Sequence, residues 1–325
     1  MQMLARAANR NGEQLMRKSG KLRFGLCCLF RGEPIRFRQI TARTLNGLPR
    51  DEQYARLSAI CLHNVRSLQK ALEFVAENGI GAFRIMSPLF PRYSHPEVGY
   101  SLADLPDAAE LQQGLSAIRA FRKLRDIRLS LHPDQFNVLS SSRPEVVANT
   151  MRELFYQGML AELVDAEVIN LHVGGAYGNK EEALLRLQKN VEALPEAVLS
   201  RLSLENDDMS FAPADLLPVC EALGIPMVYD VHHHRCLPDG LSVEEVTHKV
   251  VEFWNSLGRE PYFHISSPKH GWQGRPLKSH ADYIDPADFP LCWQSLAATV
   301  DVEAKAKELA VLRLRKDLGL GAESA

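Results

Sequence analysis

Residues 201–207 read RLSLEND and residues 225–232 read IPMVYDVH, and these two stretches decide the fold class. Each is an apolar run of strand length that ends in acidic residues or histidine, and a helix-like stretch near 213–223 lies between them. Strands that alternate with single helices predict a parallel sheet with helical crossovers. The nearly unbroken apolar character of both runs is typical of strands that are covered on both faces.

The same alternation continues towards both ends of the chain. We predict strands at 23–30, 82–87, 128–132, 168–174, 201–207, 225–232, 262–268 and 299–304. We predict helices near 52–78, 107–126, 144–165, 180–193, 213–223, 242–257 and 305–318. About eight strand–helix units favour an α/β fold closed into a (β/α)8 TIM barrel. The alternative, an open doubly wound sheet, usually carries a glycine-rich phosphate loop after its first strand, and residues 27–32 do not fit that pattern.

One barrel accounts for most of the chain, which has 325 residues, because a TIM barrel needs about 250. We expect a single catalytic domain at 21–318 and a flexible tail at 319–325. Residues 1–20 are basic and are expected to form a disordered arm, although an expression remnant or a transit-like segment would look similar.

The composition predicts a cytoplasmic monomer without a membrane anchor. No apolar run approaches the roughly 20 residues of a membrane span. The six cysteines form no CxxC pair or zinc-finger pattern, which agrees with a reducing compartment. The net charge of −2 is low for a nucleic-acid binder. The early arginines either gather on one face or belong to a solvated surface; they are Arg31, Arg36, Arg38, Arg43 and Arg50.

Polar residues occur at or near the ends of most predicted strands from the third onwards. They are His132, His172, Glu205, Asp230, His232, His233, His234, His264 and Glu303. The carboxyl ends of barrel strands converge on one face, and that face carries the active site of TIM-barrel enzymes. Residues that are far apart in sequence are therefore predicted to form one cluster.

The chemistry of this cluster favours a metal site with more than one ion. A lone histidine on an apolar strand is more often a hydrogen-bonded core residue than a ligand. Burying several imidazoles together with Glu205, Asp230 and Glu303 is costly unless cations balance them. Asp230 and His233 are spaced i, i+3 where the sixth strand is expected to turn into a loop, so each can serve one ion. We expect His232 or His234 to support the ligands or the fold.

Taken in chain order, eight motifs resemble the UV-damage endonucleases. They are FRIMSPLFPRYSHP, LSLHPDQF, INLHVGGAYG, LSLEND, VYDVHHH, FHISSP, SHADYI and VDVEAKAKE, and the resemblance runs from about residue 23 to about residue 310. It implies a barrel similar to endonuclease IV and the xylose-isomerase-like superfamily. It also implies hydrolysis of the phosphodiester on the 5′ side of a UV photoproduct in double-stranded DNA, leaving a 3′-hydroxyl. Cyclobutane dimers and 6–4 photoproducts are the implied substrates, with abasic sites left open.

The resemblance also implies how the ligands are shared among the ions. Manganese is the family's usual metal; two or three ions are expected, and zinc or another divalent ion is an alternative. The implied ligand groups are His132, His172 and Glu205 for one ion, Glu205, Asp230, His264 and Glu303 for a second, and His233 and His280 for a third. His95, which residue-level reasoning assigns to an ordinary loop, matches a further family histidine near the metals.

The resemblance further implies the DNA contacts. Gln135 and Phe136 match residues that the family inserts into the duplex, since an amide and a ring can fill the gap left by an extruded dinucleotide. The alternative for Phe136 is core packing. We also expect Arg84 and Tyr262 to contact DNA. Several family members carry a modified lysine at the position of Tyr262, so its presence puts the third ion in doubt.

The expected mechanism is attack by a metal-bound hydroxide near Glu205, with Glu205 and Glu303 as catalytic residues. Lys305 either contacts a phosphate oxygen or is an exposed residue at the start of a helix. Three alternatives remain: an abasic-site endonuclease, a sugar isomerase or epimerase, and a lesion-binding protein without enzymatic activity.

Overall fold

The barrel is built from eight short parallel strands. The structure is a computed structural model that describes residues 21–320. Its strands are β1 (Arg23–Cys27), β2 (Ala82–Ile85), β3 (Arg128–Leu131), β4 (Val168–His172), β5 (Leu202–Glu205), β6 (Met227–Asp230), β7 (Tyr262–Ile265) and β8 (Thr299–Val302). They pair in sequence order, and β8 pairs with β1 to close the barrel. The predicted alternation and closure are confirmed.

The helices surround the barrel. They are α1 (Ala42–Asn46), α2 (Arg50–Glu77), α3 (Ala108–Leu124), α4 (Pro144–Val164), α5 (Lys180–Val191), α6 (Glu196–Leu199), α7 (Pro213–Leu223), α8 (Val231–Cys236), α9 (Val243–Ser256) and α10 (Glu308–Asp317). Between β7 and β8 the chain forms short 3-10 turns at Pro286–Asp288 and Leu291–Trp293.

The apolar core lies between the strands and the helices. Trp254 of α9 is fully buried and its indole N–H donates to the carbonyl of Met227 at 2.7 Å, which fixes α9 against β6. Trp293 is also fully buried, and it stacks on Phe263 of β7 with ring centroids 4.6 Å apart. These contacts hold β6 and β7 rigidly, so the residues at their carboxyl ends have fixed positions.

The segment after β6 differs from the prediction. Residues 231–236 form the helix α8, whereas a loop was expected. The cause is the Asp230 side chain, which accepts a hydrogen bond from the backbone N–H of His233 at 2.8 Å and so caps the helix. The cap places the side chain of Asp230 directly beside His233.

The structure describes only part of the two ends of the chain. The expected arm at 1–20 and residues 321–325 of the expected tail lie outside the described residues. Gly319 and Leu320 are described, and the Leu320 N–H donates to the carbonyl of Arg315 at 2.8 Å, which closes the end of α10. Over residues 21–320, no helix combines the length and apolar character that a membrane span requires.

Candidate metal centre and active site

The strand register brings the predicted ligands to one end of the barrel. His172 ends β4 and Glu205 ends β5, and the two are direct partners in the parallel pairing. Asp230 ends β6 and pairs with His264 of β7. His132 follows β3 by one residue, and Glu303 follows β8 by one residue. The strand register therefore confirms that these polar residues lie together at the carboxyl end of the barrel, as predicted.

Glu205 is the centre of this cluster. Its Oε2 lies 3.0 Å from His132 Nε2 and 3.9 Å from His172 Nε2. Its Oε1 lies 3.1 Å from His264 Nδ1 and 3.5 Å from His233 Nδ1. The side chain is almost fully buried. One carboxylate therefore contacts imidazoles from four different segments of the chain.

Two groups of ligand-type side chains share Glu205. Within residues 21–320, ligand atoms lie within 4.8 Å of one another in the groups His132–Glu205–His264 and Glu205–Asp230–His233. This grouping differs from the one that the resemblance implies, because His264 lies with His132 and His233 lies with Asp230. His172 borders the first group, with its ring centroid 4.8 Å from that of His132.

Glu303 and His280 form a looser extension of the cluster. Glu303 Oε1 lies 3.5 Å from His264 Nδ1, and Glu303 Oε2 lies 3.8 Å from His280 Nδ1. His280 belongs to the connection between β7 and β8, where it forms an isolated bridge with Pro268. The two residues are close enough to serve a common ion, but neither belongs to the two tight groups.

Electrostatic interactions keep Glu205 ionised despite its burial. Burial alone would raise the pKa of its carboxyl, but the neighbouring His264 and His172 rings and a hydrogen bond with His132 hold the pKa well below its usual range. Burial would also raise the pKa of Glu303, and the neighbouring Arg84 and His264 lower it instead. Both carboxylates are therefore negative at neutral pH, as metal ligands must be.

The pKa values of Asp230 and His233 depend on each other's charge. Burial raises the pKa of the Asp230 carboxyl, and the nearby His233 opposes that rise. Burial would lower the pKa of His233, but Asp230, Glu205 and Glu303 together raise it to about 9. His233 Nδ1 also hydrogen-bonds to the carbonyl of Asn206 at 3.0 Å, a contact that leaves Nε2 as the nitrogen able to bind a metal.

The cluster fits divalent cations. His132 Nδ1 and Asp230 Oδ2 are buried and have no hydrogen-bond partner among the described residues. Buried polar atoms in native proteins are nearly always satisfied, so unsatisfied ligand-type atoms concentrated in one place indicate a missing partner. Imidazole and carboxylate together suit manganese, zinc or iron, and no cysteine belongs to either group.

The two neighbouring histidines after β6 have separate roles. His234 is buried and both ring nitrogens are occupied, Nδ1 by the Tyr229 hydroxyl at 2.7 Å and Nε2 by Asp239 at 2.9 Å. It is therefore a structural residue. His232 is buried beside His280 and Trp272, and burial lowers the pKa of its ring to about 4. It packs behind the cluster as a neutral ring.

Two predicted site residues lie apart from the tight groups. His95 is in the loop between β2 and α3, and its Nδ1 accepts from the backbone N–H groups of Glu97 and Val98 at 3.2 and 3.4 Å. Lys305 is exposed between β8 and α10, and its backbone N–H donates to Ala281 at 3.0 Å. Its position agrees with the alternative of an exposed residue just before the last helix.

Tyr262 and Arg84, which are expected to contact DNA, lie inside the barrel. Tyr262 is 1% exposed and Arg84 is 7% exposed. The Tyr262 hydroxyl contacts Asp301 Oδ1 and Ser130 Oγ, each at 2.9 Å. The Arg84 guanidinium is held by Asp301, Glu303 and His264. Neither side chain is presented at the surface, where Gln135 and Phe136 lie.

Gln135 and Phe136 lie at the surface, as a DNA-contacting pair must. Both are in the turn after β3, and the Asp134 carboxylate accepts from the Phe136 N–H at 3.0 Å. Phe136 is 77% exposed, which excludes the alternative that it packs in the core. Tyr177 and Met209 are also exposed in the loops after β4 and β5, and the sequence reasoning did not single them out.

Two asparagines that support the ligands were also missed. The Asn170 side chain donates to Glu205 Oε2. The Asn206 side chain accepts from the backbone N–H of Asp230 at 2.9 Å and donates to its carbonyl at 2.9 Å. A signal for both was present, because Asn170 interrupts the apolar run VINLH and Asn206 directly follows Glu205.

The chain is similar to known proteins in sequence and in fold. The family model described as UV-endonuclease UvdE matches residues 22–323. A UV DNA damage endonuclease of Bacillus velezensis is 32% identical over 301 residues, which cover 90% of this chain and 91% of the relative. The crystal structure of SacUVDE has a TM-score of 0.80 at 29% identity, with 92% of this chain and 98% of that chain covered.

A more distant structure supports the fold alone. The crystal structure of endonuclease IV from Thermus thermophilus has a TM-score of 0.57 at 15% identity, with 92% of this chain and 98% of that chain covered. The predicted endonuclease IV-like barrel is thereby confirmed. With its family model matched over nearly the whole chain, the protein belongs to the UV-endonuclease UvdE family.

Proposed function

We propose that this protein is a metal-dependent DNA-repair endonuclease that hydrolyses the phosphodiester on the 5′ side of UV photoproducts. Cyclobutane dimers and 6–4 photoproducts in double-stranded DNA are the proposed substrates, and a 3′-hydroxyl is the proposed product end. The observation that carries the proposal is the position of Glu205, which is shared by two ligand groups at the barrel mouth. The UV DNA damage endonuclease of Bacillus velezensis provides the substrate class.

The chain's own residues divide into ligands and supports. His132, Glu205 and His264 would hold one divalent ion, with His172 beside them, and Glu205, Asp230 and His233 would hold a second. Glu303 and His280 are the residues available to a third. Manganese is the proposed metal. Divalent ions at such a site supply activated water at neutral pH and neutralise charge on the phosphate and the leaving oxygen.

The charge and the hydrogen-bond partners of the site residues suit them to hold ions. Glu205 and Glu303 are ionised and buried, so they offset the positive charge of bound ions. Asn170 orients Glu205 by hydrogen bonding, and Asn206 orients His233. Residues held in this way keep the reacting groups in place without reorganisation during the reaction.

The rim of the barrel mouth supports a nucleic-acid partner. Phe136, Tyr177 and Met209 project from the loops after three successive strands, β3 to β5. A cavity of about 550 Å³ is lined by Asn137, the residue after Phe136, and by Asn149, Arg92, Arg152 and His95, among others. Arginine and asparagine are common contacts of phosphate and sugar oxygens, and exposed rings stack on unpaired bases.

Substitution of Phe136 by alanine is expected to slow cleavage of dimer-containing DNA by roughly 5- to 160-fold, because stacking on one base contributes about 1–3 kcal/mol. The folded state should lose little stability, since the ring is 77% exposed. The measurement is the single-turnover nicking rate of a duplex with one defined dimer, together with thermal unfolding.

Leu124→Ala is the matched control for Phe136→Ala. Leu124 is 81% exposed at the end of α3, at the opposite end of the barrel from the ligand cluster. Its removal should leave the nicking rate unchanged. An unchanged rate for Phe136→Ala as well would remove this residue from the proposed DNA contacts.

The proposed substrate class is tested by comparing matched duplexes. Three duplexes of identical sequence carry a cyclobutane dimer, an abasic site or no lesion, and the manganese-loaded protein is assayed on each. We expect rapid nicking of the dimer duplex and only background nicking of the undamaged one. Preference for the abasic duplex would favour the abasic-site alternative, and no nicking of any duplex would contradict the endonuclease activity itself.

A further inference from the structure

Arg84 of β2 contacts two of the proposed metal ligands from inside the barrel. Its Nη1 donates to Glu303 Oε1 at 2.6 Å, and its Nη2 donates to His264 Nε2 at 2.8 Å. Its Nε donates to Asp301 Oδ2 at 2.9 Å. One planar guanidinium therefore links three side chains of β7 and of the β8 segment, two of which belong to the ligand cluster.

Asp301 is held rigidly below this guanidinium. Its second oxygen, Oδ1, accepts from the Tyr262 hydroxyl at 2.9 Å. The neighbouring strand makes space for it, because Gly25 is paired directly with Asp301, and a Cβ at residue 25 would lie 1.8 Å from Asp301 Oδ1. The carboxylate is fully buried. The glycine on β1 therefore leaves room for this carboxylate, and the tyrosine on β7 holds it in place.

We propose that Arg84, Asp301 and Tyr262 form a positioning network for the metal centre, in which Arg84, held by Asp301, orients the carboxylate of Glu303. This inference rests on the proposed metal site. It gives Tyr262 a function in this chain, which is to fix Asp301. Groups that hydrogen-bond to metal ligands typically change metal affinity by about 10- to 100-fold when they are removed.

The contact between Arg84 and His264 belongs to the ion-free protein. An arginine can only donate, so His264 Nε2 accepts from Arg84, and Nδ1 lies 3.1 Å from Glu205 Oε1. A His264 ring that binds an ion through Nδ1 carries its proton on Nε2, which then cannot accept from Arg84. Arg84 therefore acts on the loaded centre through Glu303.

Arg128 of β3 provides an internal comparison. It is 4% exposed, similar to Arg84, and its guanidinium donates to Thr299 and to the backbone carbonyls of Glu260 and Pro261. These partners lie at the start of β7 and β8, away from the ligand cluster. The Arg128 guanidinium lies over the Tyr262 ring, 4.8 Å from the ring centroid, but it donates to none of the proposed metal ligands.

The test compares Arg84→Lys with Arg128→Lys. Lysine keeps the positive charge but loses the planar fork that reaches three partners. Manganese affinity of the ion-free protein is measured by calorimetric titration, and thermal unfolding is measured in the presence of chelator. We expect Arg84→Lys to weaken manganese binding by about 10- to 100-fold, while Arg128→Lys binds as the unsubstituted protein does.

Tyr262→Phe is a second variant with a smaller change. It tests the positioning network if Arg84→Lys does not fold. It removes one hydroxyl and is expected to weaken manganese binding by a few-fold, because Asp301 loses one hydrogen bond. Unchanged manganese affinity in Arg84→Lys would overturn the proposal. If Arg84→Lys does not fold, unchanged manganese affinity in Tyr262→Phe would overturn it. An equal loss in Arg84→Lys and Arg128→Lys would also overturn it. Failure of the unsubstituted protein to bind manganese would instead contradict the proposed metal site.

Discussion

Glu205→Gln is expected to reduce the nicking rate on a dimer-containing duplex by about 10³-fold or more. Removing a single group that stabilises transition-state charge typically costs about 10²- to 10³-fold, and Glu205 is shared by both candidate ion sites. The amide is close in shape to the carboxylate but cannot carry its charge. The same protein should therefore retain less metal after purification, which elemental analysis can measure.

Glu260→Gln is the matched control for this substitution. Glu260 lies just before β7, at the amino-terminal end of the barrel, where it pairs with Arg23 at 3.2 Å. Residues at that end of a TIM barrel serve stability, so this variant should nick at the normal rate. A Glu205→Gln protein that binds its metal and nicks as fast as Glu260→Gln would contradict the assignment of Glu205.

Removal of bound metal is expected to have an equally large effect. Protein treated with chelator should lose nicking activity to the background level, and manganese should restore it. Binding at 100-fold excess over Kd stabilises the folded state by about 2.7 kcal/mol per site. For a chain of this size that corresponds to a rise in Tm of roughly 5 °C, measured by thermal unfolding with and without manganese.

Thermal unfolding of Glu205→Gln with and without manganese provides the control for specific binding. Its Tm should respond little to manganese, because both ligand groups have lost their shared member. Full activity after exhaustive chelation, or an equal rise in Tm in the unsubstituted protein and Glu205→Gln, would show that the cluster is not the metal centre.

The barrel and the ligand positions could be predicted because each depends on a local pattern. Glu205 and Asp230 each follow an apolar run of strand length, and strand ends of a parallel barrel converge on one face. The helix after Asp230 was not predicted, since DVHHH has no apolar periodicity. It forms because Asp230 caps its first turn, and that interaction depends on side-chain geometry.

The roles of Arg84 and Tyr262 required the assembled barrel. Tyr262 precedes His264 by two residues, so both side chains point inward, but Tyr262 lies about 6.6 Å deeper along the strand. Its partners Asp301 and Ser130 come from β8 and β3. Contacts between residues so distant in sequence are set by the register and closure of the sheet. Register and closure cannot be read directly from a single sequence.

The position of the cut on a defined substrate tests the central proposal most directly. A duplex with one cyclobutane dimer and a labelled damaged strand is incubated with the manganese-loaded protein, and the products are sized and offered to a DNA polymerase. The account predicts one cut immediately 5′ of the dimer, with a 3′-hydroxyl that the polymerase extends, and no such product from Glu205→Gln. Cuts on the 3′ side, cuts at undamaged positions or an end that cannot be extended would contradict it.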